Sequence, residues 1–217
     1  MTDDPIVVVG AARTPIGGFQ GVLTGASGPH LGASAIEAAL DRSGVAVDTI
    51  DEVLMGCVLA AGQGQAPARQ AALGAGLPLG VGCTTVNKMC GSGMKAVMLA
   101  HDQIQAGSST IVIAGGQESM TNAPYLLPRA RGGLRLGHAD VIDHMFLDGL
   151  EDAYESGRLM GSFAEDCADH YSFTREDQDD YAIESLTRAT EAIESGAFAN
   201  QITRVTVTTR KGDVTVD

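Results

Sequence analysis

Aromatic residues make up only 4% of this chain, none of its four cysteines stands in a C-x-x-C pair, and 14 basic residues face 27 acidic ones. Without paired cysteines, Cys57, Cys83, Cys90 and Cys167 match neither a zinc site nor a dithiol redox centre, and they fit a reducing compartment. A formal net charge of −13 works against general binding to nucleic acid or to an anionic membrane. No apolar stretch approaches the ~18–20 uncharged residues of a membrane helix, and the acidic start Met1-Thr2-Asp3-Asp4 is not the basic n-region of a secretory signal. The chain therefore reads as soluble and cytoplasmic. A G-x-G-x-x-G turn after the first candidate strand is missing, and so is a P-loop. A serine-hydrolase elbow would need glycine at position 90, where a cysteine stands.

What is present is an apolar content of 44% with 28 glycines among 217 residues. That composition suits one or two domains of tightly turned α/β structure, packed with Ala, Val and Leu. Candidate strands are Ile6–Val9, Val53–Val58, Thr84–Val86 and Thr110–Ala114. Between them, helices are expected over Leu31–Ser43, stopped by Gly44, over Pro67–Ala75, with proline at its start, and over Gly91–Gln105. In the last of these, Met94, Val97, Met98, His101 and Ile104 follow i, i+3, i+4, i+7 spacing and predict a stripe turned to the core. The alternation of strand and helix predicts a layered α/β domain with right-handed connections between parallel strands. After about residue 120 the pattern changes. Thr121–Gly137 reads as an excursion rich in Pro, Gly and Arg, followed by acidic helices over Asp148–Tyr154, Ser162–Tyr171 and Arg175–Ser195 and a strand over Ile202–Thr208. Thr174-Arg175-Glu176-Asp177 has the form of a capping box with Asp in place of Glu.

Cys90 carries the chemistry. It lies in Val86-Asn87-Lys88-Met89-Cys90-Gly91-Ser92-Gly93-Met94-Lys95-Ala96-Val97, where a short strand passes into a helix. Unpaired N–H groups and the positive end of the peptide dipoles at a helix start favour thiolate over thiol, and the same groups can hold an oxyanion. Gly91 and Gly93 leave the sulfur open to a substrate carbonyl, and Ser92 is available to cap. By position alone, a buried structural cysteine is an equal reading. His101, eleven residues on, lies about 16 Å away along one helix and out of hydrogen-bonding reach. His30, His138, His144 and His170 carry no base motif, and Cys57, Cys83 and Cys167 read as structural.

The run from Asn87 to Ala96 resembles the active-site signature of the thiolases, Asn-x-x-Cys-Gly-Ser-Gly-Met-x-Ala. Three further stretches are similar to thiolase segments in the same order: Gly10–Gly17, Ala61–Gln70 and Gly115–Tyr125. The resemblance covers essentially the whole chain. It implies a thiolase-like layered α/β/α fold, with a core domain over 1–120 holding the nucleophile and part of a substrate-binding loop domain over 121–217. The family's C-terminal half, with its Gly-His-Pro histidine and its Cys-x-Gly-Gly-Gly cysteine, is not found in this chain, so the expectation is an N-terminal part that is inactive and poorly soluble alone.

The implied activity is that of an acetyl-CoA C-acetyltransferase, passing an acyl group between coenzyme A thioesters through an acyl-Cys90 intermediate. Asp148-Gly149-Leu150 and Leu159-Met160-Gly161 match family segments lining the pantetheine channel, which makes Leu150 and Met160 the expected substrate contacts. Leu159 stands where some biosynthetic members have His. No cofactor or metal is implied, since the coenzyme A thioester is itself the substrate. Local positive charge for it would come from Arg129, Arg131 and Arg135, or from Arg204, Arg210 and Lys211. A homo-oligomer, dimer or tetramer, is expected of the full-length enzyme. Related Claisen-condensing synthases fit less well, because their cysteine sits in an Ala-Cys-Ser/Ala-Ser/Thr setting. The alternative from another class is a non-catalytic acyl-CoA-binding or partner subunit of a split thiolase.

Overall fold

The computed structural model describes residues 5–217. In chain order its first part forms α1 (Gly28–Ser43), β1 (Glu52–Gly56), α2 (Pro67–Gly74), β2 (Gly82–Val86), α3 (Ser92–Gln105) and β3 (Val112–Gly116). The strands make one parallel sheet in the order β2-β1-β3. Because successive strand side chains point to opposite faces, Val53 and Met55 pack with Ile36, Leu40, Ala68, Ala71 and Ala72 of α1 and α2. Leu54 points the other way, onto Ala96 and Ala100 of α3. The result is the expected helix, sheet, helix layering. Val53, Leu54 and Met55 are all essentially inaccessible, and burial of each such side chain contributes about 1.5–3 kcal/mol.

Local chemistry sets the element ends. Ser27 accepts the His30 N–H at 3.3 Å and caps α1 three residues before the expected start, helped by Pro29 in the first turn. Gly44 ends the helix at φ +66°, as anticipated. The Asp51 carboxylate accepts the N–H groups of Thr110 and Ile111 at 2.6 and 3.0 Å, tying the entry of β3 to β1. These bonds hold its carboxyl below the usual carboxylate range.

Three expectations need correcting. Ile6–Val9 is not part of a sheet among the described residues, and Val7, Val8 and Val9 are 65, 83 and 58% exposed. The stripe on α3 faces outward: Met94, Val97 and Met98 are exposed, while Ser92, Ala96 and Ala100 face the sheet. The reason is steric. Backbone of Gly56 and Gly116 approaches Ser92 and Gly93 so closely that only small side chains fit at the first turn, and Ala96 and Ala100 continue that face onto Leu54. The segment around Asp148 is a single π turn, Phe146–Leu150, closed by the Glu151 N–H on the Phe146 carbonyl at 2.7 Å, and not a helix to Tyr154. The strand expected over Ile202–Thr208 is present over Val205–Thr209, with a partner that the alternation did not announce.

Beyond residue 120, the excursion includes a two-residue ladder between β4 (Tyr125–Leu126) and β5 (Ile142–Asp143). The helices α4 (Met160–Tyr171) and α5 (Arg175–Glu194) follow. The capping box on α5 is present: Asp177 N–H donates to Thr174 Oγ1 at 3.1 Å and Thr174 N–H to Asp177 Oδ2 at 2.9 Å. The chain then folds as a hairpin of β6 (Val205–Thr209) and β7 (Gly212–Val216). Val205 and Val207 are buried against Ala26, Leu23 and Leu31, so the hairpin packs on the segment that leads into α1. No helix among the described residues is long and apolar enough to cross a membrane.

Candidate active site

β1, β2 and β3 end together, and the residues following each of them, Cys57, Asn87 and Gln117, sit at the carboxyl edge of the sheet. In open parallel sheets this edge is where ligands bind. Cys90 stands there, exposed, on a turn between β2 and α3. Asn87 Oδ1 accepts the Met89 N–H at 3.0 Å, and Met89 adopts a left-handed φ of +49°, a conformation costly for a side chain of its size. Ser92 closes the turn: its Oγ accepts the Lys88 N–H at 2.9 Å and donates to the Met89 carbonyl at 2.6 Å. The expected capping role is therefore modified, since Ser92 braces the turn from inside α3 while Gly91 occupies the N-cap position without a side-chain bond.

Under the turn, glycines bring three backbones together. A Cβ on Gly56 would lie 2.6 Å from Gly93 N and 2.7 Å from Ser92 Cβ, and one on Gly116 would lie 3.4 Å from Gly93 Cα. The strand ends thus act as a seat for the first turn of α3. The N–H groups of Cys90, Gly93 and Met94 have no backbone acceptor among the described residues, as at any helix start.

No histidine or carboxylate among the described residues hydrogen-bonds to the Cys90 sulfur. His101 pairs with the adjacent Asp102 at 3.3 Å and is exposed. Cys57 is the opposite kind of cysteine. It is 2% exposed, and burial, then the nearby Glu118 charge, pushes its thiol up to about 11. Burial also pushes the Cys83 thiol up. Cys167 is exposed on α4, so the structural role expected of it does not include core packing.

Leu150 and Met160 come together on one unit. Glu151 and Leu159 form an antiparallel bridge, which places Leu150 just before it and Met160 just after it. Arg158 pairs with Glu155 at 2.7 Å and with Asp166, and stacks over Phe163 at 3.9 Å, fixing the return into α4. The packing of α3 is chiefly with β1, β2 and β3, so Cys90 and the Leu150–Met160 unit sit on separate elements. Arg129, Arg131 and Arg135 lie in an exposed loop. Arg210 and Lys211 form the tip between β6 and β7, and Arg204 lies 3.8 Å from Asp217.

Sequence reasoning passed over His144 and Glu118. The Glu118 carboxylate accepts the N–H groups of Val58 and Leu59 at 2.8 and 3.1 Å, and Gln63 Nε2 donates to the Leu59 carbonyl at 2.7 Å. His144 is buried, with Nδ1 2.6 Å from Asp148 Oδ2. Burial separates it from the other histidines, and spacing alone does not reveal burial.

A family model described as thiolase, N-terminal domain, matches residues 6–217. An acetyl-CoA acetyltransferase of Pseudomonas aeruginosa is 49% identical over 208 residues, which are 96% of this chain and 53% of that protein. One from Cupriavidus necator is 51% identical over 213 residues, covering 98% of this chain and 53% of that protein. Acetyl-CoA acetyltransferase 2 of Arabidopsis thaliana is 52% identical over 207 residues, covering 95% and 51%. The chain spans about half the length of these relatives.

Proposed function

The chain belongs to the thiolase family, matched through the N-terminal domain, and from that premise we propose that it carries the nucleophile of an acetyl-CoA C-acetyltransferase. The observation that supports this most is the setting of Cys90: exposed, on a braced turn, at the carboxyl edge of a parallel sheet, with its own N–H lacking a backbone acceptor among the described residues.

The Cys90 thiolate attacks the thioester carbonyl of acetyl-CoA. The new carbon–sulfur bond forms as the bond to coenzyme A breaks, and the departing thiolate takes up the proton that Cys90 gave away. In condensation, a base removes a proton from the methyl carbon of a second acetyl-CoA, and the carbanion attacks the acyl-Cys90 carbonyl to give acetoacetyl-CoA and free Cys90. Thiolytic cleavage of a 3-ketoacyl-CoA is the same sequence reversed. The Cys90 N–H serves as one oxyanion donor. Leu150 and Met160 pack against the thioester end of coenzyme A. Residues 1–120 form the core domain with the nucleophile, and 121–217 contribute to the acyl-CoA wall.

The base for Cys90 and the acid/base for the methyl proton come from outside the described residues, so these residues alone are inactive in turnover. Acyl transfer from thioester to thiol changes no oxidation state and calls for no cofactor. We place the protein in the cytoplasm, and the full-length enzyme as a homo-oligomer, dimer or tetramer.

Iodoacetamide labelling with and without acetyl-CoA, on the chain mixed with the C-terminal half of a related acetyl-CoA acetyltransferase, tests the reading. Protection confined to the Cys90 peptide is expected. Equal labelling in both conditions, in folded protein, favours a subunit that neither binds nor transfers the acyl group at Cys90.

A further inference from the structure

The loop that leaves β1 is held from two sides. Glu118, just past the end of β3, binds the N–H groups of Val58 and Leu59. From the opposite side, the Ala61 N–H donates to His144 Nε2 at 3.4 Å. The other ring nitrogen of His144 faces Asp148 Oδ2 at 2.6 Å. Asp148 belongs to the π turn that ends in Leu150, and π turns recur at functional sites. Two further approaches join the same bodies: a Cβ on Gly149 would meet Leu59 Cδ2 at 3.3 Å, and one on Gly62 would meet Pro124 Cγ at 3.3 Å. An unbroken path therefore runs from the strand ends that seat the Cys90 turn, through Glu118 and the 57–63 loop, to His144, Asp148 and Leu150.

His144 is 5% exposed, and both its ring nitrogens are engaged. Because Nε2 accepts from a backbone N–H, the ring proton must sit on Nδ1, where it donates to Asp148. This is the less common neutral form, selected here by its partners. A phenyl ring of similar size would fill the space but hold neither partner.

We propose that His144 is a positioning residue that clamps the Leu150 segment to the strand-end loop and so sets affinity for the coenzyme A thioester. The ligand in this proposal rests on the acyl-transfer reading above, whereas the clamp does not. Three variants separate the two. His144→Phe removes both bonds, His144→Asn keeps a donor near the Nδ1 position, and Asp148→Ala removes the half-exposed partner and does not burden the core.

Binding of coenzyme A by calorimetry is expected to weaken about tenfold in His144→Phe and Asp148→Ala, with His144→Asn recovering most of the loss. Cys90 alkylation should stay at the wild-type rate. Hydrogen exchange should speed up at Ala61 and across Phe146–Glu151 in His144→Phe, with β1 and β3 unaffected, and nitrogen chemical shifts should place the ring proton on Nδ1. Unchanged coenzyme A affinity in folded variants would overturn the proposal, as would a proton on Nε2 or loss of Cys90 reactivity in step with affinity. If the wild-type protein binds no coenzyme A yet exchange at Ala61 still accelerates in His144→Phe, the acyl-CoA reading falls and the clamp itself stands supported.

Discussion

Replacing Gly56 with alanine tests the seat under the Cys90 turn. The new methyl group would lie 2.6 Å from Gly93 N and from Ser92 C, and 2.7 Å from Ser92 Cβ. Ordinary contact begins near 3.4 Å, and two of the three neighbours are backbone, so the first turn of α3 must move by close to an ångström. Overpacking of this kind costs about 1–3 kcal/mol, and the shifted turn changes the surroundings in which the exposed Cys90 thiol reacts. Gly56 has no left-handed φ, so the effect is steric and not conformational. Gly161, in the first turn of α4 with nothing within 4 Å of its Cβ position, is the control. Alanine there should be neutral or stabilising by about 0.5–1 kcal/mol. Urea melts give the stability of each variant, and the rate of Cys90 alkylation reports the turn. A Gly56→Ala protein as stable and as reactive as Gly161→Ala would refute the packing argument.

Cys57 links stability to pH. Its folded thiol is raised from 9.0 to about 11, so its contribution is fully present below pH 9 and lost as pH climbs toward 11. Between these limits wild type should lose roughly 2–3 kcal/mol more than Cys57→Ala in paired urea melts, and equal losses would contradict the assignment. Under native conditions a thiol reagent should modify Cys90 and Cys167 first and Cys83 and Cys57 last, following exposure; early labelling of Cys57 by peptide mapping would place it outside the core. Thr174→Ala should fray the start of α5, seen as faster hydrogen exchange at Asp177 and Gln178, because the reciprocal cap is lost. Unchanged exchange there would show that the cap contributes little.

Much of this molecule could be read from local signals. The short apolar run Val53–Val58, and prolines and glycines at helix ends, located β1, α2 and the close of α1 to within a few residues. The capping box on α5 was legible because all its chemistry lies within four residues. Failures occurred where a neighbour decides. Met94, Val97 and Met98 have the spacing of a core stripe, yet α3 turns Ala96 and Ala100 inward onto Leu54, while Gly56 and Gly116 sit close under Ser92 and Gly93 at its start. Ile6–Val9 has the composition of a buried strand but lies outside any sheet among the described residues. At the site, the Asn87–Ala96 run exposed Cys90 at once. His144 stayed hidden because its role depends on Ala61, 83 positions away, and on a π turn that no periodicity announces.

The central claim is that Cys90 accepts an acyl group. Intact-mass spectrometry after exposure to acetyl-CoA tests it most directly, on wild type and Cys90→Ser, each alone and mixed with the C-terminal half of a related acetyl-CoA acetyltransferase. The account predicts an acetyl adduct on wild type when that half is present and none on Cys90→Ser. No adduct on folded wild type in either condition, or an adduct that survives in Cys90→Ser, would contradict it.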